Sequence, residues 1–380
     1  MDTPLSLKNF KQILSDLISF DTTSKNSNLS SIKYIENLFK INSNYKIIKV
    51  FNDKKDKCSL YIFPKYKDIL NGILFSGHID TVPTTQQKWK TNPYKAQIIS
   101  NKLYGRGSTD MKGFLSVVIY NMLKNPTYPL CLTVTHDEET GCDGIKNLMN
   151  YLKIKKIQFP KKCIVGEPTN LKIVTANKGV EIIETSIISK IDEGHSSNFN
   201  QNINTITTAS SFVTYLQSIQ KIIPNKNLLK CNPGNSTIHI GLLSGGTSHN
   251  IIPKKTVFRW EMRYINNDNN FIKNKLFKYQ KHFLRINKKF TSNYLIDNET
   301  LFYVLGLKEN KQKTIINFMK KFINSNSFHV AYGTEAGIIQ SYGLSTVIFG
   351  PGSIKQAHKP NEYILLDQLD RFNKILSRIH

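Results

Sequence analysis

The sequence predicts an α/β protein in which a central mixed sheet flanked by helices is interrupted by a smaller α+β domain. Three observations predict it. Across the first 177 residues, short apolar runs of strand character alternate with amphipathic helical stretches, as a sheet covered by helices requires. The middle of the chain switches to a β-α-β-β order of about 110 residues, long enough for a separate domain. At 380 residues the chain exceeds one ordinary core, and no Pro- or Ser-rich linker divides it, so the middle unit reads as an insertion. The expected boundaries are 1–177 and 289–380 for the two parts of the large domain, and 178–288 for the inserted one.

Leu5 to Phe20 is expected to be a helix, because Leu5, Phe10, Ile13, Leu14, Leu17 and Ile18 recur at helical spacing. Asp21-Thr22-Thr23-Ser24 stops it, and a second helix runs from about Ser30 to Phe39. Ile47 to Val50 and Ser59 to Phe63 read as strands. Gly72 to Ser76 is a short apolar run ending in Gly77-His78-Ile79-Asp80, a buried strand with a polar tip. Gly113 to Leu123 reads as a buried helix. Leu130 to Thr135 is a strand ending at Asp137-Glu138-Glu139, and Lys162 to Val165 one ending at Gly166-Glu167-Pro168-Thr169. In the inserted part, Val180 to Lys190 is a β-branched strand, Thr205 to Ile222 a helix, and Ser236 to Leu243 and Thr256 to Tyr264 are strands. Asn266 to Asn270 reads as a polar turn, so the next helix would begin near Phe271. The last part holds a strand at Ser345 to Phe349 and closes with a helix from about Leu366.

Composition narrows the function. Hydrophobic residues make up 39% and aromatics 11%, enough for sizeable cores and too much for a disordered chain. No apolar run reaches the length of a membrane span. Met1-Asp2-Thr3-Pro4 lacks the basic-then-apolar pattern of a secretory signal. The cysteines Cys58, Cys131, Cys142, Cys163 and Cys231 are odd in number and show no Cys-x-x-Cys spacing. That argues against a disulfide framework or a thiolate zinc site, and a reducing cytoplasm is expected. The net charge of +25 would suit nucleic acid or an anionic membrane. The lysines are spread along the whole chain rather than gathered in a stripe, as drift in an AT-rich genome leaves them. Neither nucleic acid nor membrane is therefore an expected partner.

Acidic and histidine residues gather at the ends of the expected strands: His78 and Asp80, Asp110, Glu138 and Glu139, Glu167, and finally His358. The carboxyl ends of strands in an open α/β sheet converge on one crevice, so these distant residues can meet. Two histidines and several carboxylates without a thiolate suit borderline divalent ions, zinc first, with cobalt or manganese also fitting. Two such ions need about six ligand places, and paired ions are a common device for activating water in hydrolysis. Asp80 is expected to accept the imidazole N–H of His78. One of Glu138 and Glu139 can ligate a metal while the other remains free as a general base. Taken singly, the Gly105-Arg106-Gly107-Ser108-Thr109-Asp110 segment would read only as a turn with a capping aspartate.

These segments together resemble the zinc-dependent amidohydrolases that include acetylornithine deacetylase, succinyl-diaminopimelate desuccinylase and carboxypeptidase G. The resemblance runs essentially end to end. It is carried by Phe75 to Pro83 around His78 and Asp80, by Leu103 to Gly113 around Asp110, and by Asp137-Glu138-Glu139-Thr140-Gly141. It implies that His78, Asp110 and Glu167 hold one metal and Asp110, Glu139 and His358 the other, with Asp110 bridging and Glu138 as base. The acetylornithine deacetylase branch is the most similar. It is matched by Phe20 to Leu29, by Cys163 to Thr169, by Tyr332-Gly333-Thr334-Glu335-Ala336-Gly337 and by Gly350 to Tyr363.

The resemblance implies a catalytic domain split by a lid and dimerisation domain. It also implies two divalent ions, zinc or cobalt, a homodimer, and hydrolysis of N2-acetyl-L-ornithine to ornithine and acetate in arginine synthesis. The same chemistry on succinyl-diaminopimelate, acetylcitrulline or a dipeptide is the alternative, and an inactive basic binding protein a remoter one. His195, in Gly194-His195-Ser196-Ser197, matches the inserted-domain histidine that stabilises the developing oxyanion, commonly in the partner subunit. Asn250, Arg263, Gly333 and Thr334 fall where the family contacts substrate. An arginine suits a carboxylate because its planar fork binds both oxygens, and the chain has only six arginines.

Overall fold

The structure, a computed structural model, describes residues 8–40, 44–65, 68–125, 128–197, 204–223, 229–286, 293–309, 314–324 and 326–379. The chain forms two compact units. The first comprises Met1–Ala176, Leu307–Phe328 and Thr334–His380, the second Asn177–Gly306 and His329–Gly333.

In chain order, α1 (Phe10–Ser19) and α2 (Leu29–Lys40) precede β1 (Tyr45–Phe51), β2 (Cys58–Pro64) and β3 (Ile73–His78). A hairpin of β4 (Gln97–Ile99) and β5 (Lys102–Tyr104) leads through an irregular turn, Ser108–Lys112, into α3 (Gly113–Lys124). Then come β6 (Leu130–Thr135), α4 (Asp143–Ile154), β7 (Lys162–Val165) and β8 (Val174–Asn177). The second unit contributes β9 (Gly179–Ser189), β10 (Gly194–His195), α5 (Thr205–Ile222), β11 (Thr237–Gly245), β12 (Ile251–Ile252), β13 (Lys255–Tyr264), α6 (Asp268–Ile286) and β14 (Tyr294–Val304). The chain returns through α7 (Thr314–Lys320), β15 (Phe328–Val330), α8 (Ala336–Ser341), β16 (Ser345–Ile348), β17 (Tyr363–Leu365) and α9 (Leu366–Leu376).

The first unit is built on an eight-stranded sheet of order β1-β2-β6-β3-β7-β16-β8-β15. β3 runs parallel to both β6 and β7, and β16 parallel to β7, while β1 and β2 are antiparallel, so the sheet is mixed. β3 and β6 are buried along their whole length, which is why they read as continuous apolar runs rather than as alternations. Helix α1 buries Phe10, Ile13, Leu14, Leu17 and Ile18, one face at helical spacing, and its first turn is capped by the Asn9 side chain. That face joins Phe114, Leu115 and Val118 of α3 and Leu369 and Phe372 of α9 in one core. Residues 5–7 of the expected first helix lie outside the described residues.

The second unit holds a four-stranded antiparallel sheet of order β11-β13-β9-β14. Phe258, Trp260, Met262 and Tyr264 alternate inward along β13 and pack against Phe212, Leu216, Ile272 and Leu276 of α5 and α6. Two expectations need correction here. Helix α6 starts at Asp268, not near Phe271, because Asp268 is a favourable acid for a first turn. The second unit also continues to Gly306, past the expected end at 288, because β14 pairs with β9 along its whole length. A bulge between Thr300 and Phe302 shifts the strand's faces, so its sequence shows no clean alternation.

Candidate metal centre

Parallel register brings the first ligand candidates to one edge of the sheet. His78, the last residue of β3, lies opposite Thr135 of β6, and Ser76 lies opposite Val165 of β7. The chain leaves those neighbouring strand ends through Glu138 and Glu139 and through Glu167. Two glycines allow this close packing. A Cβ on Gly166 would sit 2.1 Å from the Phe114 ring, and Gly107, at φ 76°, has the left-handed conformation that turns the chain toward Asp110.

Asp110 is the centre of the cluster. Its Oδ1 lies 3.2 Å from His78 Nε2 and its Oδ2 3.3 Å from His358 Nε2. One carboxylate thus offers a different oxygen to each imidazole. His358 Nε2 is also 3.1 Å from Glu139 Oε1, and His78 Nε2 is 4.0 Å from Glu167 Oε1. Donor atoms of His78, Asp110 and Glu139, and separately of His78, Glu138 and Glu167, lie within 4.8 Å of one another. All these residues belong to the first unit.

The hydrogen bonding fits bound cations. His78 Nδ1 faces the Asp80 carbonyl oxygen at 2.9 Å. A carbonyl only accepts, so Nδ1 carries the hydrogen, and Nε2 of the neutral ring points a lone pair toward Asp110. A lone pair facing a carboxylate is repulsive unless a proton or a metal ion lies between. Among the described residues, Glu167 Oε1 is buried and has no hydrogen-bond partner, an uncompensated cost that a metal bond would remove.

Ionisation points the same way. Burial and the neighbouring carboxylates push Glu138 and Glu167 well above the usual carboxylate range, and burial raises Glu139 as well. Burial works against charge on His78, but the hydrogen bond to Asp110 and the charge of Glu138 raise it well above normal. Hydrogen bonds to Asp110 and Glu139 raise His358 to about 10. Burial opposes ionisation of Asp110, yet the two histidines hold it below its ordinary value. Raised groups bind extra protons in the folded state, so their contribution is present below the unfolded pKa and is lost as pH rises. The lowered Asp110 has the opposite sign but acts only below about pH 4. Metal ions displace those protons. The stabilisation gained on adding zinc to chelator-stripped protein should therefore grow from pH 5 to pH 8, read as the difference in Tm between the two forms. A difference that shrinks over that range would refute the assignment.

Asp80 corrects one expectation. Its carboxylate is 3.7 Å from His78 Nδ1, and the hydrogen bond goes instead to its main-chain carbonyl. β3 ends at His78, so the chain has left the strand before Asp80 and strand alternation no longer directs the side chain. The carboxylate accepts the Ser24 hydroxyl at 2.7 Å and the main-chain N–H groups of Glu138 and Glu139 at 3.1 and 3.2 Å. Asp80 therefore fixes the turn that carries both glutamates. Ser24 and the buried Glu335, which accepts the hydroxyls of Ser76 and Thr135, were not foreseen as site residues. Each lies inside a signature segment, but a partner 56 or 200 residues away leaves no local pattern.

The remaining expected residues are distributed as follows. His195 pairs with Ile251 in the β10–β12 ribbon, and Asn250 accepts the Ser196 N–H on its carbonyl, so these two are neighbours in the second unit. Arg263 lies near the far end of β13, opposite Thr237 and Val180, with Nε donating to Glu261. The ten residues of β13 span roughly 30 Å, so one protomer does not bring Arg263 together with His195. Gly333 belongs to the second unit and the buried Thr334 to the first.

Comparison with known proteins agrees with this geometry. The model of peptidase family M20/M25/M40 matches residues 74–380. An acetylornithine deacetylase from Buchnera aphidicola subsp. Acyrthosiphon pisum (strain Tuc7) is 31% identical, covering 94% of this chain and 93% of the relative. Among solved structures, the aminopeptidase PepT from Bacillus cereus ATCC 10987 superposes with a TM-score of 0.74 at 18% identity, over 98% of each chain. A dinuclear metal-binding peptidase of the M20 family from Bacillus subtilis gives 0.62 at 13% identity, over 97% of each chain. The family match over most of the chain, the full-length relative and the shared fold place one conclusion beyond the site itself: this chain belongs to peptidase family M20/M25/M40.

Proposed function

We propose that the chain hydrolyses the amide of N2-acetyl-L-ornithine, releasing ornithine and acetate, as a step of arginine synthesis in the cytoplasm. The observation that carries the chemistry is Asp110, with one oxygen toward His78 and the other toward His358. The substrate rests on likeness to the acetylornithine deacetylase that aligns over 94% of the chain. His78, Asp110 and Glu167 would hold one divalent ion, and Asp110, Glu139 and His358 a second, zinc or cobalt by the chemistry of the donors. When bound, such a pair lowers the pKa of a water and polarises the scissile carbonyl.

Glu138 takes the proton of the attacking water and returns it to the departing amine. Its main-chain N–H donates to the Asp80 carboxylate, which holds the turn that carries the base, while its Oε1 accepts the Cys142 thiol at 3.6 Å. Asp80 also holds His78 in the Nδ1-protonated tautomer through its carbonyl. His195 donates to the developing oxyanion. Arg263 from one subunit and Asn250, which comes with His195 from the other, meet the substrate carboxylate, and Gly333 and Thr334 line its path. The second unit, Asn177–Gly306 with His329–Gly333, is the lid and dimerisation domain, and His195 acts on the partner subunit's site. The edge strand β11, with Leu242 58% and Leu243 51% exposed, supports a second copy of the chain as the covering partner.

Purified zinc- or cobalt-loaded protein should release ornithine from N2-acetyl-L-ornithine more than about tenfold faster than it hydrolyses succinyl-diaminopimelate, acetylcitrulline or dipeptides, a margin of 1.4 kcal/mol or more. Chelator should abolish the reaction, and light scattering should give twice the chain mass. Chelator-sensitive hydrolysis of another acyl substrate would keep the chemistry and overturn the substrate. A folded, metal-loaded protein without hydrolysis would leave a binding protein.

A further inference from the structure

One buried carboxylate ties together the two loops that carry Asp110 and His358. Glu362 is four residues beyond His358 and 1% exposed. Its Oε1 accepts the main-chain N–H groups of Thr109 at 2.9 Å and of Asp110 itself at 3.2 Å. Its Oε2 accepts the Gly107 N–H at 3.0 Å and Nη1 of Arg106 at 2.8 Å. The same guanidinium, also 1% exposed, donates to the carbonyl of Lys359 at 3.3 Å and to Oε1 of Gln87 at 2.6 Å. Gln87 in turn donates to the His358 carbonyl at 3.1 Å.

We propose that Glu362 is a positioning residue for the metal pair. Through Arg106 and Gln87, it sets the spacing between the Asp110 and His358 loops, and so the width of the second ion's site. The proposal rests on the two-ion reading above. The physical reason is the number and direction of the bonds. A carboxylate that accepts the main-chain N–H groups of Gly107, Thr109 and Asp110 fixes the path of the Gly107–Asp110 turn, including the amide of the bridging residue. The irregular turn has non-helical torsions at Asp110 and Met111, so its own helical bonds do not fix it. His358 has φ 63°, a left-handed conformation that costs a non-glycine residue and persists only when its surroundings impose it. The Gln87 and Arg106 bonds to the carbonyls of His358 and Lys359 supply that constraint. A buried ion pair alone is weak grounds for stability, because desolvation offsets attraction. What distinguishes this one is that every partner of Glu362 named here belongs to the loop leading to Asp110, and Arg106 and Gln87 extend it to the His358 loop.

The test is isothermal titration of chelator-stripped full-length protein with Zn(II), with elemental analysis of the loaded forms. Wild type should take two ions. Glu362→Gln keeps the size but turns one acceptor into a donor facing N–H groups. It should bind the first ion normally and the second with affinity lowered roughly 10–100-fold, the usual scale for losing an outer partner of a metal ligand. Gln87→Ala, on the surface side of the network, should show the smaller loss in the same ion. It decides the matter if Glu362→Gln does not fold. The Co(II) absorption spectrum should change in intensity at one site, which a purely structural clasp would leave alone. Two ions bound by both variants with wild-type affinity and spectrum would overturn the proposal. Wild type binding two ions without turning over acetylornithine would sink only the substrate, and the clamp would still be tested. Wild type binding fewer than two ions would overturn both readings.

Discussion

Replacing Glu138 with alanine should leave two metal ions bound and lower kcat by roughly 10²–10⁴-fold, the range for loss of a general base. That corresponds to about 3–5 kcal/mol of transition-state stabilisation. Three features favour the base role over a ligand role. Glu138 carries the strongly raised affinity for protons that burial and Glu139 give it, as a group that must accept and return a proton requires. Its main chain is held by Asp80, so the side chain is aimed without needing a metal bond. Its neighbour Glu139 already faces His358 and needs no substitute. Yet Glu138 lies within ligand reach of His78 and Glu167, which makes the experiment decisive. Elemental analysis of Glu138→Ala that shows one ion lost with the activity would make it a ligand. Retained turnover would refute the base assignment outright. Thermal stability of the metal-free variant should not fall, because one of several crowded buried carboxylates is removed.

Asp110→Ala should lose metal and activity together. The carboxylate lies between two histidines, and on the two-ion reading its removal would take one ligand from each ion at once. Affinity for both ions should drop by more than the roughly 10–100-fold seen when only an outer partner is lost. Below one ion per chain at micromolar zinc, and turnover at background, is the expected outcome by elemental analysis and ornithine release. An active variant with two ions would refute the bridging role. A variant that loses one ion and keeps the other would assign Asp110 to a single site.

The two substitutions separate what the local sequence can encode from what it cannot. Helix α5 has the bounds read from its periodicity, Thr205–Ile222, and β6 and β7 those read from their apolar runs. Local sterics and the burial of one face act over a few residues, so a pattern of the same length reports them. The candidate donors could be named for a related reason. Histidines and carboxylates at strand ends are a chemical inventory, and the end of a parallel strand is a local feature.

β14 was not legible as part of the second unit, because its bulge breaks the alternation that marks a strand face. Nor was the turn of the Asp80 carboxylate toward Glu138 and Glu139, since the chain has already left β3 there. The clamp made by Glu362 joins residues 252 to 256 positions apart. Thus the sequence by itself determined the alternation of the main strands and helices around the site and which residues are candidate metal ligands. Only the tertiary structure decided which oxygen faces which imidazole, and which buried groups hold the loops in place. Hydrogen-bond direction at a site assembled from five separated segments depends on the register of parallel strands and the packing of helices on them, and no local period carries that information.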